Sequence, residues 1–77
     1  MNKLDRIIAN QLVMGGKPCI RGTRITVGMV LGLLAKGYSV ETIMQHYPQL
    51  EDKDFPQIFA YASWRAEEME VTLHSGR

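Results

Sequence analysis

Lys17, Arg21 and Arg24 stand among Gly15, Gly16 and Gly22 in the stretch GGKPCIRGTRITVGMVL, just where an apolar run begins. Cations set between glycines can do two kinds of chemistry. They can help successive backbone amides cradle a phosphate, or they can contact the phosphates and base edges of a nucleic acid. The spacing excludes the first. A phosphate-binding loop needs Gly-x-x-x-x-Gly-Lys-Ser/Thr, with the hydroxyl reaching magnesium, whereas Gly16 and Lys17 lead into Pro18. The second stays open, and Lys17, Arg21 and Arg24 are the candidate nucleic-acid contacts. An arginine there could read guanine bidentately if a hairpin entered a groove. The plainer alternative is that these cations cap turns or pair with carboxylates of a neighbouring chain.

Nucleophilic and metal chemistry find less to work with. Cys19 is the only cysteine, and the two histidines, His46 and His74, lie far from it in sequence. Folding would have to bring one of them close to activate a thiolate; otherwise Cys19 is a small buried side chain. One thiol forms no internal disulfide and no zinc or iron–sulfur site, and His46 and His74 lack supporting ligand spacing. Asp52 and Asp54 read as negative charge at a helix start rather than as a metal pair, and Glu67, Glu68 and Glu70 as a wet helix face. The expectation is a chain with no catalytic residue, no cofactor and no metal, hence not an enzyme.

The elements that must position these residues are few. Seventy-seven residues fit one domain, 1–77, divided into a β/turn element over 1–26, a three-helix core over 27–70 and a short tail over 71–77. A domain of this size buries only about 60% of the surface its unfolded chain exposes, so the monomer is expected to be marginal. An apolar fraction of 45% with 22% charged residues excludes the sparse hydrophobicity of disordered chains. The net charge of +1 conceals a split, +4 over residues 1–26 and −3 over the remainder, which can orient a charged partner or a second copy. No apolar stretch approaches the roughly 20 residues that cross a bilayer, and MNKLDRII lacks a signal peptide's apolar region. Neither membrane insertion nor secretion is expected, and a reducing cytoplasm fits best.

Leu4, Ile7, Ile8 and Leu12 are the apolar anchors of the first segment, with Ile7 and Ile8 in a short strand or NQLVM in a helical turn. Gly15 and Gly16 mark a turn, and CIRGTRITV reads as a tight hairpin around Gly22 and Thr23. Thr26 caps a first helix in which Val27, Val30, Leu31 and Leu34 recur at helical spacing, with Leu33 widening the stripe. Gly28 and Gly32 lie four apart on one side, each costing about 1 kcal/mol of helix propensity, a cost that points to close packing against another element. Gly37 stops this helix. Ser39 caps a second, with Val40, Ile43, Met44 and Tyr47 inward and Pro48 ending it. A third helix occupies much of Asp52 to Glu70, with Phe55, Ile58, Phe59, Ala62, Ala66 and Met69 as its main apolar surface and Tyr61 and Trp64 on one flank. A cap at Glu51 puts Pro56 one residue too deep, whereas a cap at Asp54 puts it within the first turn. Val71 and Leu73 suit a brief extended tail. Helices of roughly 10, 8 and 16 residues after a small β element predict a mainly α fold, helix-turn-helix-like in the manner of homeodomain or winged-helix modules.

Tyr61, Trp64 and Met69 offer the large and adaptable contact area of a protein interface, or else belong to the domain core. The interface reading predicts a symmetric homodimer that buries part of the third helix and brings two basic elements together. The start of that helix carries Glu51, Asp52 and Asp54, which repel phosphate where an ordinary recognition helix would enter the major groove. Any contact with double-stranded DNA is therefore expected from the basic N-terminal element.

From about Ile7 to Trp64 the chain resembles the bacterial domain-of-unknown-function family 433. The resemblance is carried by GKPCIRGTRITV, then LLAKGYSVETIMQHYPQL at the appropriate distance, then IFAYA. It implies a small helix-turn-helix-like domain acting as the antitoxin of a type II toxin–antitoxin pair, with a PIN-like nuclease as the toxin it binds and inhibits, and DNA binding for autoregulation. The family pattern is matched at Gly16, Lys17, Pro18, Ile20, Arg21, Gly22, Thr23, Arg24 and Ile25, with no catalytic role attached to any of them. Two other readings stand beside it: a dimeric interaction or structural module that neither inhibits a nuclease nor binds DNA, and a helix-turn-helix transcriptional regulator.

Overall fold

The computed structural model describes residues 4–69, Met69 in its backbone only. The chain begins with strand β1, Ile7–Ala9, antiparallel to β2, Pro18–Ile20, with Ile7 opposite Ile20 and Ala9 opposite Pro18. Between them Asn10 organises a turn: its side chain accepts from the Leu12 N–H at 2.8 Å and its carbonyl from the Val13 N–H at 2.8 Å. Met14, Gly15 and Gly16 follow with φ of 49°, 66° and 86°. Three consecutive left-handed residues suit glycine, which carries no β-carbon penalty there, so the glycine pair shapes the chain.

After β2 the chain turns back at Gly22 and Thr23. The Ile20 N–H donates to the Ile25 carbonyl at 2.9 Å, and Thr23 Oγ1 donates to the Ile20 carbonyl at 2.8 Å. The expected hairpin forms, but its second arm is a single bridge, Cys19 with Thr26. It is short because Thr26 is already the cap of α1, Val27–Ala35, its hydroxyl accepting from the Met29 N–H at 2.9 Å.

Helix α1 closes in a paired C-terminal motif: the Gly37 N–H donates to the Leu34 carbonyl and the Tyr38 N–H to that of Leu33. This six-to-one and five-to-two pattern satisfies carbonyls the helix leaves open, and Gly37 supplies the φ of 98° it demands. Ser39 then caps α2, Val40–His46, through the Thr42 N–H at 3.1 Å. Helix α3, Asp54–Met69, starts one residue earlier than an Asp54 cap would give. Asp54 is the first helical residue, and Pro56, as the third, forfeits an N–H that has no intrahelical partner.

The result is mainly α: a two-stranded β element followed by three helices in a helix-turn-helix-like arrangement. Ile20, Ile25, Val27, Val30, Ile43, Leu50, Phe55 and Ile58 form one buried cluster drawn from every element except β1, against which Ile7 packs from the side. Four apolar assignments shift. Leu12 is 89% exposed rather than an anchor, because it sits at the tip of the Asn10 turn, and Ile8 faces outward. On α3, Phe59 is 48% exposed and Ala66 exposed, while Tyr61 packs on the core. Gly28 and Gly32 are exposed, and a β-carbon on either would meet no other helix or strand within 4 Å. The close packing expected of them is absent among the described residues, because the core lies on the Val27 and Val30 side of α1.

One ion pair fastens β1 to the start of α3. Arg6 Nε lies 2.6 Å from Asp54 Oδ1 and Nη2 lies 3.2 Å from Oδ2, and the Asp54 side chain has no exposed surface. Asp54 Oδ2 also accepts from the Glu51 N–H at 2.8 Å, reaching back three residues as in a capping box. Beside the pair, the Arg6 N–H donates to Gln57 Oε1 at 2.8 Å. Burial pushes the Asp54 carboxyl up. The hydrogen bond from Arg6, the Glu51 N–H and the charges of Arg6 and Lys53 together outweigh it, and hold the group below its ordinary 3.8.

Asp54→Ala is expected to cost about 3 kcal/mol, the low end of the range for removing one partner of a buried pair, since Arg6 retains some solvent. The folded-state pKa of Asp54 is depressed, so its stabilisation is complete above the ordinary carboxylate value and is lost as the pH falls through the folded one. Thermal melts of the native chain and Asp54→Asn should differ by a constant amount above about pH 5 and converge toward pH 2. A gap unchanged at low pH would show that the charge of Asp54 contributes nothing.

Candidate protein-docking surface

A groove runs between the β element and the two helices that flank it. Lys17 and Pro18 form one wall, Thr26, Val27, Gly28, Met29 and Leu31 of the α1 start form the floor, and Tyr61 of α3 forms the other wall. The Thr26 cap fixes the direction in which α1 leaves the bridge, and so aims Gly28 and Met29 into this space. Tyr61 is seated on the core, and one turn further Trp64 meets it edge to face, with ring centroids 5.7 Å apart. Trp64 is 49% exposed.

Beyond Ala62 the helix has nothing beneath it among the described residues. Every residue from 63 to 68 is exposed, on all sides of the helix, so this part of α3 projects as an arm. It is stiffened from outside: the Arg65 guanidinium lies 5.9 Å from the Trp64 ring centroid, and Nη1 lies 2.6 Å from Glu68 Oε1. A cation on an exposed ring and a pair three residues apart each contribute only about 0.5 kcal/mol. Such contacts hold Trp64 in place without hiding it. Chemically the groove and arm can bury apolar area and offer a cation at one end, Lys17, and carboxylates at the other, Glu67 and Glu68.

The three basic candidates separate. Arg21 belongs to the scaffold: its N–H donates to the Arg6 carbonyl at 2.7 Å and its Nε to the Asp5 carbonyl at 2.7 Å. Arg24 lines a different groove, with Ile8, Asn10 and Cys19, and Lys17 stands at the edge of the α1–α3 groove. Arg24 and Lys17 are exposed, and neither side chain has an ion-pair partner among the described residues. Tyr61 and Trp64 share one face, while the side chain of Met69 lies outside the described residues, as do His74, Val71 and Leu73. Cys19 is buried, its thiol donating to the Lys17 carbonyl at 3.3 Å, and it lines a different groove from His46. At the start of α3, Asp54 is neutralised by Arg6, and the exposed Glu51 lies 3.6 Å from both Arg6 Nη2 and Lys53 Nζ, while Asp52 is exposed.

Residues 7–62 match the family described as "Protein of unknown function (DUF433)". The chain belongs to the DUF433 family. A similar fold occurs in the crystal structure of a DUF433 member from Anabaena variabilis ATCC 29413, with a TM-score of 0.76 and 26% identity over 84% of this chain and 64% of that one. The "Uncharacterized protein y4eO" of Sinorhizobium fredii (strain NBRC 101917 / NGR234) is 36% identical over 50 residues, 65% of this chain. The chain spans 23% of that relative's length. The match ends at residue 62, so the DUF433 region closes where α3 leaves the core, and the arm lies beyond it.

The wall and floor residues Pro18, Val27, Gly28, Met29 and Leu31 are not among the candidates drawn from sequence. Their one signal is the pair of glycines inside α1. Arg6 and Gln57 are also missed, since nothing local links them to residues about fifty positions away.

The two arginines should part company in stability. Arg21→Ala is expected to lower it by about 1 kcal/mol, through loss of a charge-assisted bond to the Asp5 carbonyl. Arg24→Ala should stay within about 0.5 kcal/mol of the native chain. Chemical denaturation of both variants checks this, and equal losses would remove the scaffold role of Arg21.

Proposed function

We propose that the chain is a protein-docking module which acts by covering a partner, through the α1–α3 groove and the arm that extends it, rather than by catalysis. The observation that carries this reading is Trp64, half exposed on a helix that has left its core, aligned with Tyr61 and held by Arg65. Half-buried aromatics with rigid side chains are the residues on which interface energy concentrates. The partner to test first is a PIN-like nuclease, bound and inhibited as by the antitoxin of a type II pair in the cytoplasm, which is what the family resemblance implies. A single cysteine, itself buried, suits that reducing setting.

A specific observation also favours a second reading. Arg24 and Lys17 are exposed cations without ion-pair partners among the described residues, and they could meet DNA phosphates. The exposed carboxylates of Glu51 and Asp52 oppose insertion of α3 in the manner of a recognition helix. Contact through the β element alone gives a positioning rather than a sequence-reading role.

Affinity capture from native cells with the tagged chain and with Trp64→Ala tests the first reading. The native chain should retain a small nuclease in stoichiometric amount and suppress its activity, and the variant should lose at least about tenfold of it. Equal retention by both would reject the surface. For DNA, Lys17→Ala and Arg24→Ala should each reduce the slope of log affinity against log salt by about 1. Unchanged slopes would reject phosphate contact at these residues.

A further inference from the structure

The groove and the arm form one continuous strip, half receptor and half ligand. Tyr61 closes the groove, and Trp64 continues the same side of α3 past the point where the core ends. The floor has room to spare. A β-carbon at Gly28 would come no closer than 3.9 Å to Thr26 Oγ1; outside the floor, one turn further along α1, one at Gly32 would meet nothing within 4 Å. Both glycines weaken α1 by their backbone freedom, and no described element uses the space they leave. The charges at the two ends of the strip are opposite: Lys17 beside the groove, and on the arm Glu67 and Glu68, of which Glu68 is paired with Arg65, so that the arm stays net negative.

A strip that joins an open groove to an exposed helix of opposite charge has one natural occupant. We infer that the groove is filled by the α3 arm of a second copy of this chain, the two copies related by a two-fold axis beside Trp64. About such an axis the arms run antiparallel. Each passes over Gly28 of the other copy and carries Glu67 and Glu68 toward the other copy's Lys17. The contact is isologous, so it closes at two chains and leaves no sticky end. The eight residues Tyr61 to Glu68 span about 12 Å of helix, enough to carry the carboxylates back across the partner groove. The inference rests on the docking reading and names the first occupant of that surface; a nuclease or other protein would then meet the pair.

Sedimentation velocity on the purified full chain, with melting followed at low concentration, tests it. The native chain should be a dimer in the micromolar range. Gly28→Leu should fill the floor, weakening self-association by at least about tenfold while raising the melting temperature of the dilute monomer, since leucine favours helix where glycine does not. A residue of purely structural importance would not move the two readouts in opposite directions. Lys17→Glu alone should weaken the dimer, and adding Glu67→Lys with Glu68→Lys should restore it. A native chain that stays monomeric at about 100 µM, where a dimer of micromolar affinity would be nearly complete, would overturn the inference. So would a dimer indifferent to Gly28→Leu, or a charge reversal that the compensating pair fails to rescue. A monomer that still retains a nuclease through Trp64 would overturn only the second-copy assignment and leave the docking reading standing. A dimer that retains no other protein would support the assignment and remove the nuclease.

Discussion

The Arg6–Asp54 pair is the constraint on which the arrangement of this small chain depends. A two-stranded β element is marginal by itself, and short helices are no better. Arg6 and Asp54 are separated by 48 residues, so their meeting closes the chain around its own core. Asp54 is committed in three directions, to two nitrogens of Arg6 and to the Glu51 backbone, and Gln57 adds a bond to the Arg6 N–H. A carboxylate with no exposed surface is tolerable only when its oxygens are satisfied in this way. The same commitment fixes where α3 begins and therefore where its far end emerges.

From that fixed start the division of α3 into two parts follows. Phe55 and Ile58 reach the core, Tyr61 reaches its edge, and no described element lies under residues 63 to 68. The β element and α1 then build a groove facing the emerging arm, because the Cys19–Thr26 bridge and the Thr26 cap leave α1 only one exit. Scaffold and proposed docking surface are thus separated along the chain. The buried ion pair and aliphatic cluster hold the shape; exposed glycines, aromatics and charges of the strip are left for contact.

Much of the fold is legible in the sequence because local signals and burial agree. Thr26 and Ser39 cap the helices they precede, Gly37 ends α1, and the apolar stripes of α1 and α2 turn inward as their spacing requires. The reading fails where position in the whole fold overrides periodicity. Phe59 has the right spacing for the core, but the inward side of α3 is set by Asp54, and that rotation seats Tyr61 instead. Leu12 is apolar yet sits at a turn tip, where a side-chain bond from Asn10 decides the geometry. The candidate surface is half legible: Tyr61 and Trp64 stand out by residue type, but the groove they face is assembled from three separate segments. Arg21, read from sequence only as a phosphate contact, also has a tie to the first segment that no local signal announces: its Nε donates to the Asp5 carbonyl.

The exposed arm has a consequence for how such a chain can change over generations. Residues 63 to 68 carry no share of the described core, so substitutions there spare the fold and, on the docking reading proposed above, alter recognition. On the same reading, lineages would drift apart in whom they bind before they drift in how they fold, and separate copies in one cell would become deaf to each other by a few changes on that single helical turn and a half.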